Sequence, residues 1–299
     1  MVWSGLGVNY KGLQASWAQD ADYFRSIGLK NIRPNMSWIP ASWTATTSAS
    51  QGNFSYWRAC AAYFASQGFW VTWGPAGLNN ITAGTMTATN WQQYHDSVVA
   101  EAAYLQSQGI TLGCFELGNE MDGQPDGTTL TRDQFITNMK QLATDLKAVY
   151  TLSPVGYSMW NYNGDTYSKW IAAGRGNIDI VGVHPYGNIA ANCRYLNPGG
   201  YSDIQAMLTA FGADHCIVTE FNLDASNANT HAMADDLRVN QMRIKYAFLK
   251  TVGFTKAVVY SWVGYLEQDN AFAMKNIDGS FSTYWDALLT DNKRRTYIN

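Results

Sequence analysis

Short apolar runs and longer amphipathic stretches alternate along the whole chain. Strand-like runs occur at 3–10, "NIRPNMSW" (31–38), "FWVTWGP" (69–75), "TLGCFELGNE" (111–120), "PVGYSMWN" (154–161), "IDIVGVHPYG" (178–187), "CIVTEFN" (216–222) and "AVVYSWVG" (257–264). Near-continuous apolar runs of this length fit strands buried on both faces. Between them lie segments with apolar residues at helical spacing, such as "SWAQDADYFRSIG", "WQQYHDSVVAEAAYLQSQG", "RDQFITNMKQLATDLKAVY" and "DDLRVNQMRIKYAFLKTVG". Several end at a glycine suited to a left-handed cap, and "TYWDALL" supplies a last helix. Strand and helix alternating eight times with no linker predict the α/β class: a single (β/α)8 TIM barrel, one domain over residues 1–299. The alternative is a doubly wound open sheet, but "GLGVNY" near the start has no GxGxxG loop leading into a helix.

Composition supports a globular chain. With 46% hydrophobic and 14% charged residues in 299, there is material for one large core. A formal charge of −3 and a pI near 5.8 leave no cationic footprint, so neither nucleic acid nor an anionic membrane surface is expected as a partner. No apolar run approaches the ~18 residues of a spanning helix. The start "MVWSGLGVNY" lacks the basic and apolar regions of a secretion signal. The expectation is a monomer that is either cytoplasmic or secreted with its signal already removed. Cys60, Cys114, Cys193 and Cys216 are widely spaced without a CxxC and read as buried thiols.

Candidate chemistry begins at "FELGNEMDG", where Glu116, Glu120 and Asp122 fall at alternating positions of a strand-like run. Alternating residues share one face of a strand, and in a barrel the depth along that face decides the role. The interior is packed, whereas the C-terminal ends of the strands carry the active site. Glu120 closes the fourth run and Glu220 the seventh, and the chain has only five glutamates: Glu101, Glu116, Glu120, Glu220 and Glu267. An acid at a strand end is ordinarily a cap or a solvated loop residue. Two of five glutamates at one barrel mouth make that reading the weaker one. Glu116 lies deeper and reads as a buried acid paired with Arg33 or a backbone donor. Asp122, in "MDGQPDG", has turn chemistry as its default.

These residues resemble the clan A retaining glycoside hydrolases, the TIM-barrel superfamily of cellulase-, mannanase- and xylosidase-like enzymes. The resemblance rests on "ELGNE" ending strand 4 and "TEF" ending strand 7. It is joined by "VHPYG" on strand 6, "VVYSWVG" on strand 8 and "GLKNIRP" on strand 2. It implies Glu120 as acid/base, Glu220 as nucleophile, Arg33 as support for the nucleophile and His184 and Tyr186 as a His-x-Tyr pair. It also implies Trp262 as the floor of the subsite at the bond to be cut. Strand 3 departs from the pattern, ending "VTWGP" where some members carry a histidine.

Retaining hydrolysis needs two carboxyl groups ~5 to 5.5 Å apart, one attacking the anomeric carbon and the other protonating the leaving oxygen and then activating water. Arg33 and Tyr186 would favour ionised Glu220 by charge and hydrogen bonding. Asn119 is placed to hold the sugar 2-hydroxyl, and His184 to orient groups around the site. His184 as a zinc ligand is disfavoured, because the four histidines lack ligand spacing. Neither metal nor organic cofactor is expected.

Aromatic residues make up 14% of the chain, including 12 tryptophans, and most must be core. Those near strand ends, Trp38, Trp43, Trp73, Trp160 and Trp262, are candidates to stack on pyranose rings of an extended glycan. The expected substrate is a β-linked neutral polysaccharide or oligosaccharide cut internally. The competing readings are an exo-acting β-glycosidase or transglycosylase, and a catalytically silent carbohydrate-binding barrel. Silence fits poorly, since a binding module gains nothing from two mutually repelling carboxylates in one cleft.

Overall fold

The computed structural model describes residues 5–40, 42–45, 53–78, 86–121, 130–159, 164–185, 198–222, 235–260, 262, 274, 280–282 and 285. In chain order the elements are β1 (Leu6–Tyr10), α1 (Trp17–Ser26), β2 (Asn31–Pro34), β3 (Trp38–Ile39), α2 (Phe54–Ser66), β4 (Trp70–Trp73) and β5 (Gly77–Leu78). There follow α3 (Ala88–Ser107), β6 (Cys114–Asn119), α4 (Arg132–Val149), β7 (Val155–Met159), α5 (Gly164–Ala173) and β8 (Ile180–Val183). The chain continues with α6 (Pro198–Phe211), β9 (Cys216–Phe221), α7 (Asp235–Val252) and β10 (Ala257–Val259).

Eight parallel strands close into a barrel in the order β1, β10, β9, β8, β7, β6, β4, β2, with β2 pairing back to β1. Each lies inside one of the eight apolar runs, and the fold is a single closed (β/α)8 barrel. The run at 31–38 splits: β2 stops at Pro34, which has no N–H to continue a ladder. Trp38 and Ile39 instead pair with Gly77 and Leu78 as a separate two-stranded ribbon. "TYWDALL" lies outside the described residues except for Trp285.

Local signals explain where the helices start and stop. Thr131 and Gln134 form a reciprocal capping box at the start of α4, and Asn53 and Thr87 accept from the first turns of α2 and α3. Gly28, Gly68 and Gly109 follow α1, α2 and α3 in the left-handed conformation, with φ of 77°, 81° and 65°. Among the described residues, no helix is long and apolar enough to cross a membrane.

The pleat divides the strand side chains into two sets. The outer set packs under the helices: Tyr10 meets Phe24 and Phe64 and donates to Asp20 at 2.6 Å, while Tyr157 stacks on Trp170. The inner set fills the barrel in layers. Cys114, Ile180 and Ile217 cluster with Trp70 toward the N-terminal end, and above them the lining becomes polar, with Arg33, Glu116, Ser158 and Thr219 buried; Glu220, the residue after Thr219, joins them where the pairing of β9 with β10 shifts register. Cys60, Cys114 and Cys216 are buried free thiols, and Cys193 lies outside the described residues.

Candidate active site

The polar layer is built around one guanidinium. Arg33, inward on β2 and 1% exposed, donates from Nε to Glu116 Oε2 at 2.8 Å and from Nη2 to Glu116 Oε1 at 2.7 Å. The same Nη2 donates to Asn119 Oδ1 at 2.7 Å, and Nη1 donates to Glu220 Oε1. Burial alone would weaken the charge on Arg33, but the carboxylates of Glu116 and then Glu220 outweigh it and raise its pKa above the ordinary arginine value. Beneath, the Ser158 hydroxyl donates to Glu116 Oε1 and lies 2.8 Å from Thr219 Oγ1.

Room for this layer comes from small residues. A Cβ on Gly182 would sit 2.3 Å from Ser158 Oγ and 2.5 Å from Thr219 Oγ1, and one on Gly74 would sit 1.8 Å from the Glu116 carbonyl oxygen. Neither position has space for a side chain, so β8 and β4 pass close beside the polar layer.

The end of β6 departs from simple alternation. Its pairing with β7 shifts register between Glu116 and Asn119, and Gly118 faces Tyr94 of α3 and Met121. The irregularity turns both Asn119 and Glu120 toward polar partners of the mouth, so Glu120 does not reach it as the next alternate residue after Glu116. Glu120 takes a left-handed backbone, φ 53°, the one non-glycine residue with positive φ among those described. Its N–H donates to the Ser158 carbonyl at 2.9 Å, and the Asn119 N–H to that of Ala76 at 3.3 Å. Such a conformation costs about 1–3 kcal/mol and persists only where its surroundings over-determine it.

Glu120 meets His184, just beyond β8. His184 Nδ1 and Glu120 Oε1 lie 2.6 Å apart, with the imidazole fully buried and the carboxyl 31% exposed. Burial pulls the His184 pKa down, but the charges of Glu220 and Glu120 pull harder and leave it raised. The segment that follows Glu220 is tied to its neighbours. Asn222, two residues on, donates to the Tyr260 carbonyl, and its own carbonyl accepts from Lys245 of α7 at 2.6 Å.

The structure thus brings Arg33, Asn119, Glu120, His184 and Glu220 together. Asp122, Trp160 and Tyr186 lie outside the described residues. Two expected sugar contacts are not at the mouth. Trp73 is fully buried and packs on Phe54 of α2, because its neighbour Thr72 takes the inward position opposite Cys114. Trp262 is fully buried too, edge-on to Phe24 and Trp285 and tilted against Tyr23 and Phe281. β10 ends at Val259, and beyond it alternation no longer dictates which way a side chain faces. Trp38 is partly buried in the β3–β5 ribbon. Trp43 donates its indole N–H to Glu101 of α3 at 2.7 Å, where Arg58 also binds, which makes it a clamp on the helices.

Other polar residues at the site carried no motif. Ser158 and Thr219 are buried strand residues, and Tyr260 is tied to Lys11, which donates to its hydroxyl. Their signal was a polar residue inside an otherwise apolar strand. At the opposite end of the barrel, a separate cleft of about 640 Å³ is lined by Trp70, Tyr150, Asp179 and His215 among others and shares no residue with this site. No three His, Cys, Asp or Glu side chains among the described residues group as metal ligands.

Comparison with known proteins gives a consistent picture. The family "Glycosyl hydrolase family 79, N-terminal domain" matches residues 45–193, just under half the chain, a span that includes Glu116, Asn119, Glu120 and His184. No curated protein sequence matches the chain. Among solved structures, an exo-β-1,4-mannosidase from Opitutaceae bacterium strain TAV5 superposes with TM-score 0.72 at 15% identity, covering 98% of this chain. The chain spans 60% of that enzyme's length. Fungal β-1,4-galactanases superpose with TM-score 0.69 at 12% identity, covering 96% of this chain and 99% of theirs. A GH53 catalytic domain from Ignisphaera aggregans gives TM-score 0.68 at 13% identity, covering 96% of each chain. At such identities the superpositions speak for the fold. With the family match over 45–193 added to the closed eight-stranded barrel, the chain is similar to the TIM-barrel glycoside hydrolases in fold and, over 45–193, in sequence.

Proposed function

We propose that the chain is a retaining β-glycoside hydrolase that cuts internal linkages of a β-linked neutral glycan, with Glu220 as nucleophile and Glu120 as acid/base. The observation that carries this reading is the reach of Arg33, whose guanidinium touches Glu220 and also Asn119, the residue before Glu120. One cation spanning two strand ends joins the two carboxyl groups into a single mouth.

The environments divide the labour. Glu220 is buried against Arg33, which favours the ionised form a nucleophile requires. Glu120 is more open and shares its hydrogen bond with His184, a group able to hold or release a proton beside it. In the first step Glu220 attacks the anomeric carbon as Glu120 protonates the departing oxygen. In the second, Glu120 takes a proton from water, which attacks the same carbon and releases Glu220. Asn119, fixed by Arg33, presents its amide where the sugar 2-hydroxyl lies in such a step. Internal cutting draws support from the short to moderate segments that follow the strands in the sequence.

The test is a panel of β-glucans, mannans, galactans, xylans and aryl glycosides scored for new reducing ends, with the first-formed anomer read by proton NMR. A β-anomer product from a β-linked substrate, with chain length falling early, is the expected result. Inverted product would exclude the double displacement. Release of single sugars from the start would exclude internal cutting.

A further inference from the structure

The guanidinium of Arg33 serves two carboxylates, and the one it holds most fully is not Glu220. Glu116 takes both Nε and Nη2 in a fork at 2.8 and 2.7 Å, while Glu220 receives only Nη1. Glu116 is fully buried at the level of Ser158, below the mouth, and substrate would meet Asn119 and Glu120 first. A buried carboxylate with no path to substrate has a structural explanation, as the counter-charge a buried arginine needs. The hydrogen bonds suggest more. Ser158 gives its hydroxyl to Glu116 and sits 2.8 Å from the hydroxyl of Thr219, the residue before Glu220. Its carbonyl accepts the N–H of Glu120. The layer around Glu116 therefore connects to both candidate catalytic residues.

We propose that Glu116 is a positioning residue for the nucleophile: it fixes Arg33 in the plane that reaches Glu220 and takes up most of the guanidinium charge, leaving Glu220 anionic yet reactive. This deepens, and rests on, the reading of Glu220 as nucleophile. A lone arginine beside Glu220 would hold the carboxylate too well, stabilising the ground state against attack. Arg33 already neutralised by Glu116 offers hydrogen-bond donors and little net charge. Among the described residues, the titratable groups facing Glu116 include Arg33 from β2, Cys114 from its own strand and Tyr94 from α3, and those facing Glu220 include Arg33 and His184. Burial first, and then Glu116, push Cys114 and Tyr94 above their ordinary values, so both stay neutral and Arg33 supplies the balancing charge.

The experiment measures kcat/KM against pH on a 2,4-dinitrophenyl glycoside drawn from the panel. This leaving group needs little protonation, so the acid limb reports ionisation of the nucleophile in free enzyme. Glu116→Gln leaves the whole charge of Arg33 facing Glu220, so the acid limb should move down by about one pH unit. The plateau should fall on the order of tenfold or more. Ser158→Ala removes a hydroxyl dipole whose positive end points at Glu116 and makes the layer more negative. Its acid limb should move up by a fraction of a unit, the opposite direction. A purely structural Glu116 would lower the plateau, or the yield of folded protein, without moving either limb. That result in active enzyme overturns the proposal while the function stands. If Glu116→Gln does not fold, Ser158→Ala alone decides, and an unmoved limb overturns the proposal. Failure of wild-type enzyme to hydrolyse any glycoside of the panel overturns the function and this inference with it.

Discussion

His184 presents Nδ1 to Glu120 Oε1 at 2.6 Å from a fully buried position, a hydrogen bond that is charged when the imidazole is protonated and that reaches a carboxyl 31% exposed. Its pKa is raised because the carboxylates of Glu220 and Glu120 overcome the burial that would lower it. A histidine that holds its proton more tightly folded than unfolded contributes stability in full below its unfolded pKa. That contribution is lost as pH rises through the folded value. The expected outcome is that wild type loses stability relative to His184→Gln from about pH 6.5 upward. Urea unfolding of both proteins at half-unit steps from pH 5.5 to 9 checks this. A constant difference across that window would remove the charged bond.

Gly182→Ala is predicted to damage the site from a strand that contributes no side chain to it. The added methyl would lie 2.3 Å from Ser158 Oγ and 2.5 Å from Thr219 Oγ1. Overpacking of this kind costs about 1–3 kcal/mol. Relief must come by moving the hydroxyls that support Glu116 and precede Glu220, so kcat should fall on the order of tenfold at unchanged KM. Denaturant midpoints and initial rates on one aryl glycoside test both parts. Wild-type kcat in a destabilised Gly182→Ala would uncouple the layer from catalysis.

Trp262 is expected to matter for stability and not for sugar binding. Its ring is fully buried against Phe24 and Trp285, so Trp262→Ala should cost about 3–5 kcal/mol. Trp262→Phe keeps an apolar ring and should retain kcat/KM within about threefold, a change below 1 kcal/mol. A loss of orders of magnitude in a well-folded Trp262→Phe would return this residue to the substrate cleft, as its resemblance to the clan tryptophan implies.

The contrast between Trp262 and Glu220 shows what could be read before the structure. Buried parallel strands are apolar on both faces, so all eight stand out as runs, and a polar residue at the end of such a run has few places to be except the mouth. Glu120 and Glu220 stand out for that reason, whereas Arg33 and His184 enter through the resemblance of their motifs and Asn119 through its place beside Glu120. An aromatic residue carries no such signal, because either face of a strand accepts it. Trp73 faces α2 and Trp262 faces α1 because of pleat phase and strand ends set by pairing with distant segments. The turn at Glu120 was hidden for a related reason. Its left-handed backbone is held by carbonyls of Ala76 and Ser158, on the segments after β4 and in β7, which no local pattern in "ELGNE" reveals. Ser158 and Thr219 look like ordinary strand residues until Gly182 brings their hydroxyls together.

The two glutamates can be separated by leaving group. If Glu120 protonates the departing oxygen, Glu120→Ala should still be glycosylated by a dinitrophenyl glycoside, which needs little acid help. Deglycosylation should then be slow, because the same residue serves as base toward water. A burst of dinitrophenol followed by a low steady rate is expected. Azide should raise that rate by attacking the intermediate without a base, leaving a glycosyl azide of retained configuration. On natural glycan, whose leaving group requires a proton, Glu120→Ala should fall by about two to four orders of magnitude. His184 loses a charged partner in this variant while Arg33 keeps both of its own. Glu220→Ala should give no burst with either substrate, since it lacks the carboxylate that forms the intermediate. Equal losses on both substrates in Glu120→Ala, with no response to azide, would remove Glu120 from the acid/base role. Asp122, two residues on in the same segment, would then be the next carboxylate to substitute.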